Sequence, residues 1–354
     1  MSLAPGPVVV FGAGAVGAFV GGMMSRAGQD VLLVDPWGEH VEAMRSNGLT
    51  LELPEGSFVA RPRLCHLSNA QALRRLSPAV AFLSVKLYDT AWASTLLAEV
   101  VPRAPIVTLQ NAFVEEVVAR AAGWPRILGA VASKVDVALV GPGRVRRSRR
   151  RGGAAPVFKV GEPSGRSTRR AALVASLLAH ADTSGVTTHL WDERWAKLWA
   201  NTISSGLSGI SGLSLLEVYR RDDTRRLSIR LAGEACAVGE ALGFEADSLF
   251  GLPPSRWRMA ASGDPAAARD AMAALEAHSA TMVDGGPSGT LQDLLKGRRT
   301  EVDFFNGYIA EQALGAGVAA PTHAAVATLI RRMEAGEARP DLAHVAALAA
   351  QSGG

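Results

Sequence analysis

The chain has 354 residues and a mass of 37.0 kDa, and 48% of its side chains are apolar. At roughly 150 residues per domain this length predicts two domains, and with 20% charged residues the composition excludes a disordered or fibrous protein. The formal net charge of +4 comes mostly from arginines spread along the chain, so charge alone does not indicate a nucleic acid or another polyanionic partner.

The cysteines, the histidines and the first residues together bear on the cellular compartment. Cys65 and Cys236 are too few for a disulfide framework, and no pair of histidines has the spacing of a metal site. We therefore expect a reducing compartment and no bound metal. Residues 1–25 carry no charge but several glycines, which predicts neither a basic secretory signal nor a membrane span. The expectation is a cytoplasmic protein that does not bind membranes.

The N-terminal segment has the pattern of a dinucleotide-binding βαβ unit. The residues at 7–11 predict a strand, those at 18–27 a helix and those at 30–35 a second strand. The G-x-G-x-x-G turn after the first strand permits a tight turn, close approach of a pyrophosphate and close helix packing. The alternative is a glycine-rich turn of another α/β protein. The candidate cofactor-binding residues here are Gly12, Ala13, Gly14, Ala15, Val16 and Gly17.

The second strand of this unit ends at Asp35, 23 residues after Gly12. A carboxylate at this point can accept hydrogen bonds from the ribose hydroxyls of the adenosine half and would repel a 2′-phosphate. The next residues, 36–40, include no arginine. Asp35 therefore favours NAD over NADP, while the alternative is a turn or capping aspartate beside Pro36.

Two later strands are each followed by polar side chains. The apolar runs at 79–85 and 105–109 predict buried parallel strands, and Lys86 and Asn111 follow them. Ligands of open α/β sheets bind beyond the carboxyl ends of the strands, so both residues are candidates for contacts to the nicotinamide ribose or the substrate. The alternative is that both are capping or loop residues. Further extended segments at 127–132, 155–160 and 186–190 complete a predicted dinucleotide-binding domain over residues 1–190.

The arginine-rich run at 144–151, with the sequence RVRRSRRR, is the exception to the even spread of charge. One hypothesis is a patch for nucleic acid or phosphate. The favoured alternative is a solvated hairpin or strand edge, because glycines flank the run and no aromatic residue is interleaved for base stacking.

After residue 190 the pattern becomes helical, which predicts a separate helical domain over residues 191–354. One stripe at four-residue intervals is aromatic and predicts a face packed in the core; it consists of Trp191, Trp195 and Trp199. A second stripe, nearly opposite, is polar and consists of Lys197, Asn201 and Ser205. The turns that follow are uncharged and rich in glycine, which favours a cleft over a solvated face for the second stripe. For Lys197 alone, the alternative is a solvated lysine.

Further helices are predicted in this half at 223–243, 265–280, 303–315 and 337–354. Asp264 is the expected N-cap of the helix that begins at Pro265. The segment Thr300-Glu-Val-Asp303 matches a capping box for the next helix. Glu301 lies inside that segment and could be a surface residue without another role.

Together these motifs resemble the ketopantoate reductases (2-dehydropantoate 2-reductases). The resemblance spans residues 8 to about 330 and rests on GAGAVG at 12–17, VKLYDT at 85–90, QNA at 110–112, KLWANTISSGLSG at 197–209 and LQDLLKGRRTEVDFFNG at 291–307. It implies an α/β protein in which an N-terminal Rossmann-type domain with a parallel sheet precedes an all-helical domain. It also implies reduction of a 2-oxoacid to a 2-hydroxyacid with a nicotinamide cofactor.

The resemblance also implies roles for individual residues. Lys197 is implied as the proton donor, Asn201 as a substrate ligand and Glu301 as the group that holds the substrate hydroxyl. Asn111 and Lys86 are implied to line the cofactor side. These roles are chemically reasonable, because hydride arriving at a ketone carbon leaves charge on the oxygen, which a cation both stabilises and protonates.

Several positions depart from the family pattern. Ser205 stands where a second asparagine is usual, Ser288-Gly289 where two serines are usual, Ala112 where a glycine is usual, and Asp35 where an arginine commonly binds a 2′-phosphate. Ser205, Ser288 and Gly289 are therefore candidate substrate-binding positions that have changed. The departures favour a working reductase with a substrate other than ketopantoate and with NAD as cofactor, while NADP remains open.

Three functions are therefore compared. The first is a reductase of a small 2-oxoacid, with the hydride from nicotinamide and the proton from Lys197. The second is a pathway-specific dehydrogenase that oxidises a hydroxy compound or reduces an imine. The third is a non-catalytic dinucleotide-binding sensor, which would need neither Lys197 nor Glu301. A small oxoacid or hydroxyacid is the expected partner, without nucleic acid or membrane, and a homodimer is one open alternative for the oligomeric state.

Overall fold

The computed structural model describes residues 6–153, 155–282 and 286–351. The chain divides into two compact units, Met1–Trp191 and Asp192–Gly354. The sequence predicts this division after residue 190. The first unit contains strands and helices, whereas the second is built of helices. In the described ranges no helix is both long and apolar enough to cross a bilayer.

The first unit is built around an eight-stranded sheet. Its strands are β1 (Val8–Phe11), β2 (Val31–Asp35), β5 (Arg63–His66), β6 (Val80–Leu83), β7 (Ile106–Thr108), β8 (Ile127–Ala132), β11 (Phe158–Gly161) and β12 (Ser184–Thr187). Their spatial order is β12-β11-β8-β7-β6-β1-β2-β5. The helices of this unit are α1 (Ala15–Arg26), α2 (Gly38–Asn47), α3 (Thr90–Val100), α4 (Glu115–Ala122) and α5 (Arg169–Leu178), with 3₁₀ turns at Leu67–Arg75, Leu87–Asp89 and Trp124–Arg126. The predicted strand–turn–helix–strand unit at the N-terminus is confirmed.

The main sheet is parallel, as predicted, except at one pair of strands. Neighbouring strands from β5 to β8 run parallel, as do β11 and β12, but β11 runs antiparallel to β8. Two neighbouring strands that follow one another in the chain can run parallel only if a crossover connection, usually a helix, joins them. The connection between β8 and β11 instead contains a hairpin and, among its described residues, no helix. The sheet is therefore mixed.

A second sheet, which the sequence analysis did not predict, covers one side of the first unit. It consists of β3 (Leu49–Leu53), β4 (Gly56–Ala60), β9 (Val137–Gly141) and β10 (Arg144–Arg147), in the order β4-β3-β10-β9. Helix α1 packs against it. At Gly22 the approach is so close that an added Cβ would lie 2.9 Å from a methyl carbon of Leu49. Helix α1 is therefore enclosed between the two sheets, which explains its long buried run from Gly17 to Met24.

The main sheet is apolar on both faces, because helices or the second sheet cover each of them. In β1, Val8 and Val10 belong to one core cluster and Val9 and Phe11 to the other. This is the alternation of a strand whose successive side chains point to opposite faces. A continuous apolar run of this kind is typical of a buried parallel strand.

The arginine-rich run forms β10 and the loop after it. Arg144 and Arg146 both bind the carboxylate of Glu52 on β3, at 2.5 and 2.8 Å. Strand β10 forms a hairpin with β9 but lies between β9 and β3, so it is not an edge strand. Nearby carboxylates thus offset part of the positive charge of the run, which weakens the hypothesis of a polyanion site.

The run also contributes a buried ion pair. Arg147 binds Asp182, and the two side chains are 0% and 1% exposed. The second carboxylate oxygen of Asp182 accepts hydrogen bonds from the backbone N–H groups of Gly152 (2.8 Å) and Thr183 (2.6 Å). The guanidinium carbon of Arg147 lies 5.2 Å from the centre of the Phe19 ring on α1. The pair thus connects the second sheet with the segment before β12.

The second unit is helical, as predicted. Its helices are α6 (Leu190–Ser211), α7 (Leu215–Arg220), α8 (Asp222–Ala241), α9 (Pro254–Ala261), α10 (Pro265–Ala280), α11 (Gly289–Leu295), α12 (Asn306–Ala316), α13 (Pro321–Glu334) and α14 (Ala343–Gln351), with a 3₁₀ turn at Val302–Phe304. Asp264 caps α10 by accepting a hydrogen bond from the N–H of Ala267 at 2.7 Å, as predicted. The end of the last predicted helix, residues 352–354, lies outside the described residues.

The predicted capping box at Thr300 is wrong. The Thr300 hydroxyl accepts from the N–H of Val302 rather than from position 303, and α12 begins only at Asn306. Asp303, the expected partner in the box, instead binds Arg331 on α13 at 2.7 Å. A charged partner from a neighbouring helix thus replaces the local cap.

Two of the three tryptophans of the α6 stripe lie in the core as predicted, since Trp195 and Trp199 are each 1% exposed. The prediction is wrong for Trp191, which is half-buried, belongs to the first unit and stacks on Phe113 there. The indole N–H of Trp199 donates to the carbonyl of Ala232 on α8 at 3.0 Å. Trp195 lies against Gly239 of the same helix so closely that an added Cβ at that glycine would be 2.6 Å from an indole ring carbon. These contacts fix the face of α6 that points away from its polar stripe.

Candidate active site

The glycine turn leaves the N-terminus of α1 without a side-chain cap. Gly12 has a φ of +98°, in the left-handed region, and an added Cβ at Gly17 would collide with the carbonyl oxygen of Gly12. Gly14 is the N-cap of α1, which begins three residues earlier than predicted, and no side chain caps it there. An added Cβ at Gly14 would meet no heavy atom within 4 Å. The N-terminus of α1 is therefore open to an anion, and the turn fits a dinucleotide.

Asp35 holds this turn in place. One carboxylate oxygen accepts from the N–H of Ala13 at 2.7 Å, and the other accepts from the N–H of Trp37 at 2.9 Å. Asp35 is 9% exposed. Each carboxylate oxygen can accept a further hydrogen bond, so the turn-forming role and a contact to a ribose hydroxyl are compatible. The two alternatives that the sequence left open are therefore not exclusive.

The strand order places the candidate cofactor residues along one edge of the sheet. Strands β7, β6, β1 and β2 are neighbours and parallel, so the candidate residues at or after their carboxyl ends come in that spatial order: Asn111, Lys86, Gly12 and Asp35. With about 4.8 Å between strands, three steps span about 14 Å. Lys86 and Asn111 are half-buried, and Ala112 after Asn111 has a φ of +56°. The candidate cofactor residues thus lie in a row across four neighbouring strands.

In the second unit, Lys197, Asn201 and Ser205 are all half-buried and share one face of α6. At 1.5 Å per residue, they follow one another at steps of about 6 Å along the helix axis. The residues on the opposite face, among them Trp199 and Ile203, are buried. The polar stripe therefore presents an amine, an amide and a hydroxyl in a row on a helix whose other side is fixed in the core.

The segment before α11 lies beside the later turns of α6. The N–H of Ser288 donates to the hydroxyl of Ser208 at 3.2 Å, while the hydroxyl of Ser288 caps α11 through the N–H of Leu291 at 3.1 Å. Ser208 is three residues beyond Ser205 on the helix, so the two candidate substrate positions are near each other. An added Cβ at Gly289 would meet no heavy atom within 4 Å, so space is open there. Glu301 is half-buried and precedes the 3₁₀ turn at Val302–Phe304.

A buried network that the sequence analysis missed supports α6 from behind. The side-chain amide of Asn306 donates to the carbonyl of Thr202 at 3.0 Å and lies 3.2 Å from Nδ1 of His323. The other nitrogen of His323 lies 2.9 Å from the carbonyl oxygen of Leu231. Burial lowers the pKa of His323 to about 4, so this histidine is neutral at physiological pH. The local signal in the sequence is the NG dipeptide at 306–307, and that dipeptide does not indicate a buried hydrogen-bond network.

The described ranges contain no group of three or more His, Cys, Asp or Glu side chains that could hold a metal ion. Burial raises the pKa of the thiols of Cys65 and Cys236, in the latter to about 12, and both cysteines are free. The chemistry that the two units offer is therefore that of a dinucleotide turn in one and an amine–amide–hydroxyl stripe in the other.

Comparisons with known proteins point to one family. The profile of a family described as "Ketopantoate reductase PanE/ApbA" matches residues 8–157, and its C-terminal counterpart matches residues 189–334. A 2-dehydropantoate 2-reductase of Mesorhizobium japonicum is 27% identical over 352 residues, which cover 92% of this chain and 97% of the relative. One of Archaeoglobus fulgidus is 28% identical over 332 residues, with 93% and 98% covered.

Solved structures show the same fold. A PanE/ApbA family ketopantoate reductase from Ralstonia eutropha is similar with a TM-score of 0.76 and 25% identity, covering 94% of this chain and 99% of the other. A D-mandelate dehydrogenase in a ternary structure with NADH and anilino(oxo)acetate has a TM-score of 0.75 with 94% and 99% covered, at 19% identity. The second likeness concerns the fold alone.

Proposed function

The chain belongs to the ketopantoate reductase PanE/ApbA family and is an oxidoreductase that acts on a CH–OH/C=O pair; from this premise we propose that it reduces a small 2-oxoacid to the 2-hydroxyacid, with NADH as the preferred cofactor. The observation that carries the proposal is the half-buried stripe of Lys197, Asn201 and Ser205 on α6. A cytoplasmic location is part of the proposal, supported by the two free thiols.

The first unit would hold the cofactor. The open N-terminus of α1 and the Gly12–Gly17 turn fit its pyrophosphate, Asp35 fits the adenosine ribose, and Lys86 and Asn111 fit the nicotinamide half. When bound, a nicotinamide supplies a hydride in the reduction and accepts one in the oxidation.

The second unit would hold the substrate and supply the proton. Asn201 orients the oxoacid without adding charge, and Ser205, Ser288 and Gly289 shape the space for its side chain. The Lys197 ammonium stabilises the negative charge that develops on the carbonyl oxygen and then donates a proton to it. Glu301 accepts a hydrogen bond from the substrate hydroxyl. In the oxidation of a hydroxyacid the same lysine accepts the proton, so one site serves both directions.

The test is a panel of 2-oxoacids with NADH and NADPH, and of 2-hydroxyacids with the oxidised cofactors, followed at the nicotinamide absorbance. We expect turnover of at least one oxoacid by the full chain. Dinucleotide binding without turnover of any substrate would instead support a non-catalytic sensor.

Cofactor choice is the first specific expectation. We expect NADH to bind more tightly than NADPH, because Asp35 would repel a 2′-phosphate. Asp35→Ala should bring the Kd values of NADH and NADPH closer together. It should also weaken the binding of both cofactors, because Asp35 accepts hydrogen bonds from the N–H groups of Ala13 and Trp37. The control is Asp30→Ala at the other end of β2, where the exposed Asp30 pairs with Arg63. Tighter NADPH binding by about tenfold, or about 1.4 kcal/mol, would contradict the role of Asp35.

The second specific expectation concerns the choice of substrate. Because Ser205 and Gly289 replace larger polar residues of the family pattern, we expect ketopantoate to be a poor substrate with its loss in kcat/KM. Ser205→Asn combined with Gly289→Ser should raise kcat/KM for ketopantoate about tenfold, since position 289 has room for a side chain. If the wild-type chain reduces ketopantoate as efficiently as any other oxoacid, the case for a changed substrate is lost.

A further inference from the structure

His40, which the proposed mechanism does not use, is fully buried beneath the glycine turn. Its Nε2 lies 2.9 Å from the carbonyl oxygen of Ala13, and its Nδ1 lies 2.9 Å from the backbone nitrogen of Gly143 in the β9–β10 turn. The Trp37 ring stacks on the imidazole, with 5.4 Å between ring centres and 17° between planes. These three contacts hold the ring from three sides.

The partners of His40 define its protonation state. A backbone N–H can only donate, so Nδ1 accepts from Gly143, and the proton of the neutral ring is on Nε2, which donates to Ala13. A second proton on Nδ1 would face the Gly143 N–H, donor against donor. Burial lowers the pKa of His40, while the charge of Asp35 and the hydrogen bond to Ala13 partly oppose this. The neutral form with Nε2 protonated is therefore the one that this geometry selects.

The contact to Ala13 has a consequence for the dinucleotide turn. In a planar trans peptide the C=O and N–H point in opposite directions. By binding the carbonyl of Ala13, His40 fixes the plane of the peptide between residues 13 and 14, and the Gly14 N–H points to the opposite side. Asp35 fixes the preceding peptide plane through the Ala13 N–H. His40 and Asp35 thus fix the orientation of two successive peptide planes of the turn through hydrogen bonds.

We propose that His40 is a positioning residue for dinucleotide binding, which in its neutral form aims the Gly14 amide at the cofactor pyrophosphate; this rests on the proposed function, because it assumes that the turn binds a dinucleotide. His40 does not touch the reacting atoms. Its removal should therefore raise the Kd of the dinucleotide and leave kcat and the KM for the oxoacid at saturating NADH unchanged.

Two substitutions separate the hydrogen bonds of His40. His40→Gln can place an amide N–H where Nε2 donates to Ala13, but it leaves the Gly143 N–H without its acceptor. His40→Asn can place an oxygen where Nδ1 accepts from Gly143, but it leaves the Ala13 carbonyl without its donor. Each variant removes one buried hydrogen bond, so their losses in Tm should be similar. Only the asparagine variant releases the turn.

The experiment measures the Kd of ADP-ribose, which carries the pyrophosphate and withstands acid, for the full chain and both variants. We expect His40→Asn to raise this Kd at least tenfold and His40→Gln to rescue it to within about threefold of wild type. Equal Kd changes in the two variants, or none in His40→Asn, would overturn the proposal. If wild type binds neither ADP-ribose nor NADH, the proposed function itself fails.

A pH series compares the affinity of the wild-type chain with that of His40→Gln. Because the folded pKa of His40 lies below 6.5, affinity should be constant above that pH and fall as the pH drops through the folded value. Asp35 is the charged side chain that acts on the ring, while Arg144 beside the Gly143 turn is bound to Glu52. The same dependence of this Kd on pH in wild type and in His40→Gln would argue against the proposal.

Discussion

Lys197→Ala should lower kcat for oxoacid reduction by about 10²- to 10⁴-fold, the range typical for loss of a proton donor. The ammonium on the half-buried stripe of α6 would no longer offset the charge on the carbonyl oxygen. The Kd of NADH should stay near the wild-type value, because the turn at 12–17 and Asp35 belong to the other unit. Single-turnover rates beside a dinucleotide titration measure both quantities.

Two further variants sharpen this expectation. Lys197→Arg should recover little activity, because a guanidinium stays protonated and has a different shape. Lys296→Ala removes an exposed lysine of the same unit and should leave kcat unchanged. Near-normal turnover of Lys197→Ala would show that Lys197 does not supply the proton, and turnover that survives removal of both Lys197 and Glu301 would place the site elsewhere.

Asp182→Asn should lower the free energy of unfolding by about 3–5 kcal/mol, because it leaves the buried Arg147 guanidinium without its anion. Nε and Nη1 of Arg147 have no hydrogen-bond partner within the described ranges, so no second acceptor there takes over. Urea unfolding at neutral pH measures the change, which is a large part of the 5–15 kcal/mol typical of a folded protein.

The matched control is an ion pair at the surface of the same unit. Glu116 and Arg120 are 69% and 76% exposed, so Glu116→Gln should change stability by less than about 1 kcal/mol. Arg147→Met should lower the free energy of unfolding less in the Asp182→Asn background than on its own. In that background the substitution removes a charge that has already lost its partner. A loss for Asp182→Asn as small as that for Glu116→Gln would contradict the importance of the buried pair.

The same pair gives a pH dependence with a defined sign. Burial alone would raise the pKa of Asp182, but hydrogen bonds from Arg147 and from the amides of Gly152 and Thr183 outweigh it and hold the pKa below 3.8. A carboxyl group whose pKa is lower in the folded than in the unfolded protein stabilises the fold at pH values above its unfolded pKa. This stabilisation is lost as the pH falls through its folded pKa. The stability difference between wild type and Asp182→Asn should therefore be constant above about pH 4 and shrink below it.

The parts of the fold that depend on local pattern could be predicted from the sequence. The strand–turn–helix–strand unit and the polar stripe of α6 follow from periodicity and glycine spacing over fewer than thirty residues. The second sheet could not be predicted in this way, because β10 pairs with β3 more than ninety residues earlier in the chain. The antiparallel direction of β11 depends on the β9–β10 hairpin, which lies between β8 and β11 in the chain. At Thr300, tertiary contact overrode a local signal when Asp303 paired with Arg331.

The candidate site shows the same division. Gly12, Asp35 and Lys197 stand at positions that the sequence pattern marks, although their roles remain proposals. His40 escaped notice because its partners Ala13 and Gly143 are 27 and 103 residues away, and a single histidine on a short helix has no motif. Asn306 was missed for the same reason. Residues that support a site from below are selected by three-dimensional contact, which spacing along a chain does not record.

The close contact between Trp195 and Gly239 constrains which substitutions this chain can accept. The indole occupies the space that any side chain at position 239 would need, so a chain that keeps the tryptophan must also keep the glycine. A side chain at position 239 becomes possible only after, or together with, a smaller residue at position 195. The order of substitution is therefore fixed, and as long as Trp195 is present Gly239 keeps the helix that carries Lys197 in close contact with α8.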